Sequence, residues 1–317
     1  MDPAQQGEVG REVGLAHPEI PYHPVCFAQI RVGETWKAYQ GRLTWGKGQC
    51  LAILDDGCDL GDPAWCVRFP WGPKVVAGYD SIEGSDDPSP VPPGYHGTSV
   101  GYPSSLNLDG VCGIACNNHV AQVRCVSVVH LQGRSESPSI GAALRWVLDH
   151  RERLRITAVN LSVLDDEAHD RLVPTEIDEV LASLRTAGVW VGAPCGNHDF
   201  ARGVSWPACQ PDCFGIGATV PGQPGTVHLD RGPGTDLLVA AEATSSANAF
   251  AAASSMVLRE AIETVNFDWR SLGPTLPEAI LEVFCRTGRN VSDPVTGRSY
   301  RELDLKAAVD HILDEPR

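Results

Sequence analysis

A carboxylate, an imidazole, an amide and a run of hydroxyls stand where short apolar runs end or helices begin. Asp55 closes Cys50-Leu51-Ala52-Ile53-Leu54, His96 opens His96-Gly97-Thr98-Ser99-Val100, and Asn197 ends Cys195-Gly196-Asn197. The fourth segment, Ser245-Ser246-Ala247-Asn248-Ala249-Phe250-Ala251-Ala252, leads into an alanine-rich stretch that reads as helix to Ile262. A hydroxyl nucleophile needs a base to take its proton, and the base needs an anion to hold its tautomer and stabilise its charged form. Asp55 and His96 supply that anion and base. Gly57 and Gly97 follow them closely and let backbone pack nearby, while a nucleophile at a helix N-terminus meets free amide donors and the positive end of the helix dipole. The chemistry such a set could perform is nucleophilic catalysis.

The elements that must hold these groups are legible as alternating patterns. Gly46-Lys47-Gly48 and Asp55-Asp56-Gly57 bracket the apolar run 50–54, and a short apolar run between such turns suits a strand buried on both faces of a parallel sheet. Downstream the sequence predicts a strand over 120–126, an amphipathic helix over 140–151, a strand over 156–163, a helix over 174–187 and a strand over 189–193. The stretch from Ser81 to Gly94, with Asp86, Asp87 and four prolines, reads as an acidic surface loop. Strand and helix in alternation predict an α/β fold of three layers, αβα, with a mostly parallel central sheet. In such sheets reactive groups gather at the carboxyl ends of the strands.

Taken in order, these segments resemble those of a subtilisin-like serine peptidase, a subtilase. Leu51-Ala52-Ile53-Leu54-Asp55-Asp56-Gly57 is similar to the family's Asp strand, His96-Gly97-Thr98-Ser99-Val100 to its HGTxV motif, and Gly110-Val111-Cys112-Gly113-Ile114-Ala115 to its GVxGxAP turn. Val159-Asn160-Leu161-Ser162 resembles the strand lining the substrate cleft, Cys195-Gly196-Asn197 the AGN oxyanion motif, and Trp206-Pro207-Ala208 the (Y/W)PA segment. The likeness runs from Val32 to Leu313 and implies a subtilisin-like fold. It also implies roles. Asp55 would orient His96, His96 would act as base and then acid, and the Asn197 amide with the nucleophile's backbone N–H would bind the oxyanion of an acyl-transfer reaction.

The serine motif departs from the family. Gly-(Thr/Asn)-Ser-(Phe/Met)-Ala-(Ala/Thr)-Pro lies on Ala247-Asn248-Ala249-Phe250-Ala251-Ala252-Ala253, which puts Ala249 at the nucleophile position. Ser245, within Thr244-Ser245-Ser246, is the nearest hydroxyl, in a register that gives up the Phe-Ala-Ala match. With Ala249 in that role, the expectation is an intracellular processing endopeptidase in an engineered, inactive form. The alternatives are a naturally silent subtilase-fold binding protein and a peptide macrocyclase or transpeptidase. By the same resemblance Ser162, Val163, Leu164 and Gly196 would bind an extended peptide or protein substrate. Leu164 stands where the family usually has glycine, so restricted specificity is expected. Asp165, Asp166 and Glu167 beside it would favour basic substrates, against the plainer reading of a solvated acidic loop.

Composition bounds the rest. The chain has 317 residues, 43% hydrophobic and 21% charged, and a formal net charge of −15. That charge opposes phosphate backbones and anionic lipid, so neither nucleic acid nor membrane is an expected partner. The N-terminal residues lack a basic segment followed by an apolar run, and eleven scattered cysteines do not form a tight framework, so a cytoplasmic location is expected. Residues 1–30, with Pro3, Pro18, Pro21 and Pro24, read as an irregular arm before a catalytic domain over 31–317. No cofactor and no metal site is expected: the Cys-x3-Cys pairs lack zinc spacing, and the acidic loops show no calcium-ligand pattern. Oligomeric state is left open.

Overall fold

The computed structural model describes residues 20–92, 94–128 and 134–314. In chain order the first elements are β1 (Ile20–Pro21), α1 (Pro24–Gln29), α2 (Val32–Tyr39), β2 (Cys50–Asp55), β3 (Arg68–Phe69), β4 (Gly72–Pro73), β5 (Val75–Asp80), α3 (His96–Val100) and α4 (Tyr102–Ser105). There follow β6 (Asn107–Leu108), β7 (Val111–Cys112), β8 (His119–Arg124), α5 (Ser137–Leu154), β9 (Ile156–Leu161), α6 (Asp178–Thr186), β10 (Trp190–Pro194), β11 (Phe214–Thr219) and β12 (Val227–His228). The last are β13 (Leu237–Ala240), α7 (Thr244–Val265), α8 (Leu276–Thr287), β14 (Arg289–Ser292), β15 (Ser299–Glu302) and α9 (Leu305–Leu313).

The central sheet runs in the order β14-β15-β13-β11-β10-β9-β2-β8-β5, with β12 beside β11. Along that path only β14 and β15 pair antiparallel. Alternation within β2 shows why its apolar run is unbroken. Leu51 and Ile53 join a core with residues of α1, α2, α7, α8 and α9, whereas Cys50, Ala52 and Leu54 join a second core with residues of α5 and α6. A strand with helices on both faces needs apolar side chains at both parities. The three-layer αβα architecture with a mostly parallel sheet is therefore present as expected.

Boundaries differ from the sequence expectations for local reasons. Helix α5 begins at Ser137, with a proline in its first turn, and ends at Arg155 in the left-handed conformation. Helix α6 begins at Asp178 rather than 174, because the Asp178 carboxylate accepts the Thr175 N–H and holds the preceding residues in a turn. The expected irregular arm is folded where it can be described. Residues 24–29 form α1, Phe27 and Ile30 are fully buried, and Phe27 and His23 pack their rings on Phe250 of α7. Residues 1–19 lie outside the described residues. No helix among the described residues is long and apolar enough to cross a membrane.

Candidate active site

The parallel strands deliver their carboxyl ends to one edge of the sheet, and the expected residues collect there. Asp55 is the last residue of β2 and is almost completely buried. His96 begins α3, and its Nδ1 lies 2.9 Å from both carboxylate oxygens of Asp55. An imidazole held at Nδ1 by a carboxylate presents Nε2 as the basic nitrogen. Burial works to lower the His96 pKa, but the Asp55 charge, its hydrogen bond and the Asp56 charge outweigh burial and hold it above the ordinary imidazole value. The close approach depends on Gly97, since a Cβ there would stand 2.2 Å from the Gly57 oxygen and 2.8 Å from Asp55 Cβ. Asp56 completes the anchor: its carboxylate accepts the Gly97 N–H at 2.7 Å and the His96 N–H at 3.3 Å.

Asn197 follows β10, two strands along from β2. At the usual spacing of adjacent strands that separation is about 10 Å. Its Oδ1 accepts the backbone N–H and the Oγ1–H of Thr244, each at 2.9 Å, which fixes the amide and leaves Nδ2 as its donor group. Thr244 Oγ1 in turn accepts the Gly196 N–H at 3.2 Å. Thr244 is the first residue of α7, so the oxyanion segment and the start of this helix are tied together. Helix α3, which carries His96, packs against both β2 and α7.

In α7 the expected nucleophile position, Ala249, and the nearest hydroxyl, Ser245, stand one turn apart. Ala249 is fully buried in the second turn, among the residues that pack on the sheet. Its neighbour Asn248 donates Nδ2 to Asn160 Oδ1 at 2.7 Å and to the Gly192 oxygen at 2.9 Å, which pins this turn across β9 and β10. Ser245, one turn earlier on the same face, is 5% exposed, follows the Thr244 clamp, and lies in the first turn of the helix, where backbone N–H groups lack intrahelical acceptors.

Of the expected substrate segment, Ser162, Val163 and Leu164 have no exposed surface, and the Ser162 N–H donates to the Leu54 oxygen at 3.2 Å. Gly196 is buried too, at φ +117, where a Cβ would collide with Asp230 Oδ2 at 2.1 Å. Asp165 is not available to a basic substrate. Its carboxylate accepts the Ser205 Oγ–H and Trp206 N–H and faces Arg134 at 3.0 Å and His169 at 2.9 Å. Asp165, Glu167 and His169 come close enough to suggest a cation site, but the Arg134 guanidinium already lies 3.0 Å from Asp165 and 3.7 Å from Glu167.

No protein-family model matches the chain. Over 177 residues, 53% of the chain, it is 25% identical to a subtilisin-like protease of Coccidioides posadasii (strain C735), of whose length it covers 41%. Its fold matches the MycP3 protease from the type VII (ESX-3) secretion system with a TM-score of 0.62 at 17% identity, over 96% of this chain and 90% of that one. In fold, and in sequence over about half its length, the chain is subtilisin-like.

Proposed function

We propose that the chain is a serine endopeptidase that cleaves peptide bonds through an acyl-enzyme formed on Ser245. The observation that carries this reading is an Asp55–His96 pair on elements packed against α7, the helix whose first residue, Thr244, clamps Asn197. Ser245 Oγ attacks the scissile carbonyl while His96 Nε2 takes its proton, and the buried Asp55 stabilises the imidazolium. The oxygen that gains charge is met by Asn197 Nδ2 and by the backbone N–H of Ser245, donors already oriented before substrate arrives. His96 then returns the proton to the leaving amine, and water repeats the sequence on the ester. Ala249 plays no part, so its identity is no sign of an inactivated enzyme.

The test is turnover of a mixed peptide pool followed by mass spectrometry. Parent protein should generate defined cleavage products, and Ser245→Ala should lower their rate by on the order of 10⁶. Equal product formation by parent and Ser245→Ala would defeat this assignment.

A further inference from the structure

Asp230 is a buried carboxylate outside the Asp/His/Ser set, and the turn that carries Asn197 wraps around it. It has no exposed surface. Its Oδ1 accepts the N–H groups of His198 and Phe200, each at 2.8 Å, and its own N–H donates to the Gly196 oxygen at 3.2 Å. The residues immediately before and after Asn197, and the one three beyond it, are thus all tied to one side chain or its backbone. The other oxygen, Oδ2, is buried with no hydrogen-bond partner and lies under Gly196 so closely that no side chain fits there. His198 Nδ1, at 3.9 Å, is the one cation-forming group facing it among the described ion pairs.

A buried carboxylate oxygen left without a donor is costly, on the order of 1–3 kcal/mol or more. A neutral turn of common sequence would close 196–200 without that cost. What the carboxylate adds is a single acceptor that gathers two amides into one point and so fixes the path of the chain through Asn197. Thr244 fixes the Asn197 side chain from α7, and on the opposite side Arg231 holds the far end of the turn, its N–H donating to the Phe200 oxygen at 2.9 Å and its guanidinium to Asp199, which leaves Asp230 as the group that binds the residues flanking Asn197.

We propose that Asp230 is a positioning residue for the oxyanion site: it sets the backbone of the 196–200 turn so that Asn197 Nδ2 is aimed where the oxyanion forms. This inference rests on the peptidase reading, but its test separates the two. The readout is the rate of phosphonylation of Ser245 by a fluorophosphonate probe in full-length protein. Asn197→Ala should slow labelling about 10²-fold, the usual effect of losing one oxyanion donor. Asp230→Ala should slow it by a similar factor. The double variant should be no slower than Asn197→Ala alone, because Asp230 acts only through Asn197. Asp230→Asn, which keeps the Oδ1 acceptor, should recover most of the parent rate.

Hydrogen exchange of the His198 and Phe200 amides gives a second measure that does not depend on activity: Asp230→Ala should speed it at least tenfold. Labelling of Asp230→Ala at the parental rate overturns the proposal, as do losses that multiply in the double variant. A parent chain that takes no label at Ser245 overturns both readings, and is told apart because Ser245→Ala then changes nothing.

Discussion

Asn197 Oδ1 accepts two hydrogen bonds from one residue, the backbone N–H and the Oγ1–H of Thr244, both at 2.9 Å. A loop beyond β10 is thereby locked to the first turn of α7, at the residue that precedes Ser245. Thr244→Val removes the hydroxyl but keeps the shape and the backbone N–H. It should lower kcat about tenfold, short of the 10²–10³ expected when an oxyanion donor is lost outright, with KM little changed. Steady-state kinetics on a cleaved peptide identified from the pool would show the split.

Acid pH should silence the enzyme earlier than an ordinary histidine would. His96 must be neutral to accept the Ser245 proton, and Asp55 and Asp56 hold its pKa above the usual 6.5. The acid limb of kcat/KM should therefore fall above that value, and Asp56→Asn should move it down. A limb below 6.5 in the parent, or one unmoved by Asp56→Asn, would contradict the charge argument. The same shift bears on folding with the opposite preference. Because the folded pKa is raised, protonated His96 adds stability that is full below the unfolded pKa and is lost as pH rises through the folded pKa.

Gly97→Ala should damage stability and catalysis together. The added Cβ meets the Gly57 carbonyl and Asp55 Cβ, neither of them the end of a flexible chain. A loss of about 1–3 kcal/mol in denaturant unfolding is expected, with activity falling further because His96 is displaced from Asp55.

Asn248→Ala should destabilise the fold by about 1–3 kcal/mol, since it strips hydrogen bonds from the buried Asn160 Oδ1 and Gly192 oxygen. Chemical unfolding of the two proteins side by side measures it.

Much of this site was legible because its signals are local. Asp55 ends an apolar run between glycine turns, and His96 and Asn197 each sit next to a glycine demanded by close packing, so both the strand ends and the motifs announce themselves. Ser245 was harder. A Phe-Ala-Ala match is what any helix packed tightly on a sheet presents, so it does not choose between Ala249 and Ser245, whereas the clamp between Thr244 and Asn197 supports the proposed Ser245. Asp230 left no trace in the sequence, since it meets the 196–200 turn through loop-to-loop contact with no period to read. Residues 24–29 carry a usable sign of helix: Pro24 stands in the first turn of α1, where a missing N–H costs nothing. Burial of Ser162 and Val163 arises from the Leu54 contact and the core beside α5 and α6, neither visible in their own composition.

Covalent labelling tests the central claim most directly. Unaltered protein treated with a fluorophosphonate should gain the mass of one adduct, mapped to Ser245, and the adduct should vanish in Ser245→Ala and in His96→Ala. An unaltered chain that takes no label, together with an Ala249→Ser variant that is labelled at residue 249, would contradict it and restore the other register.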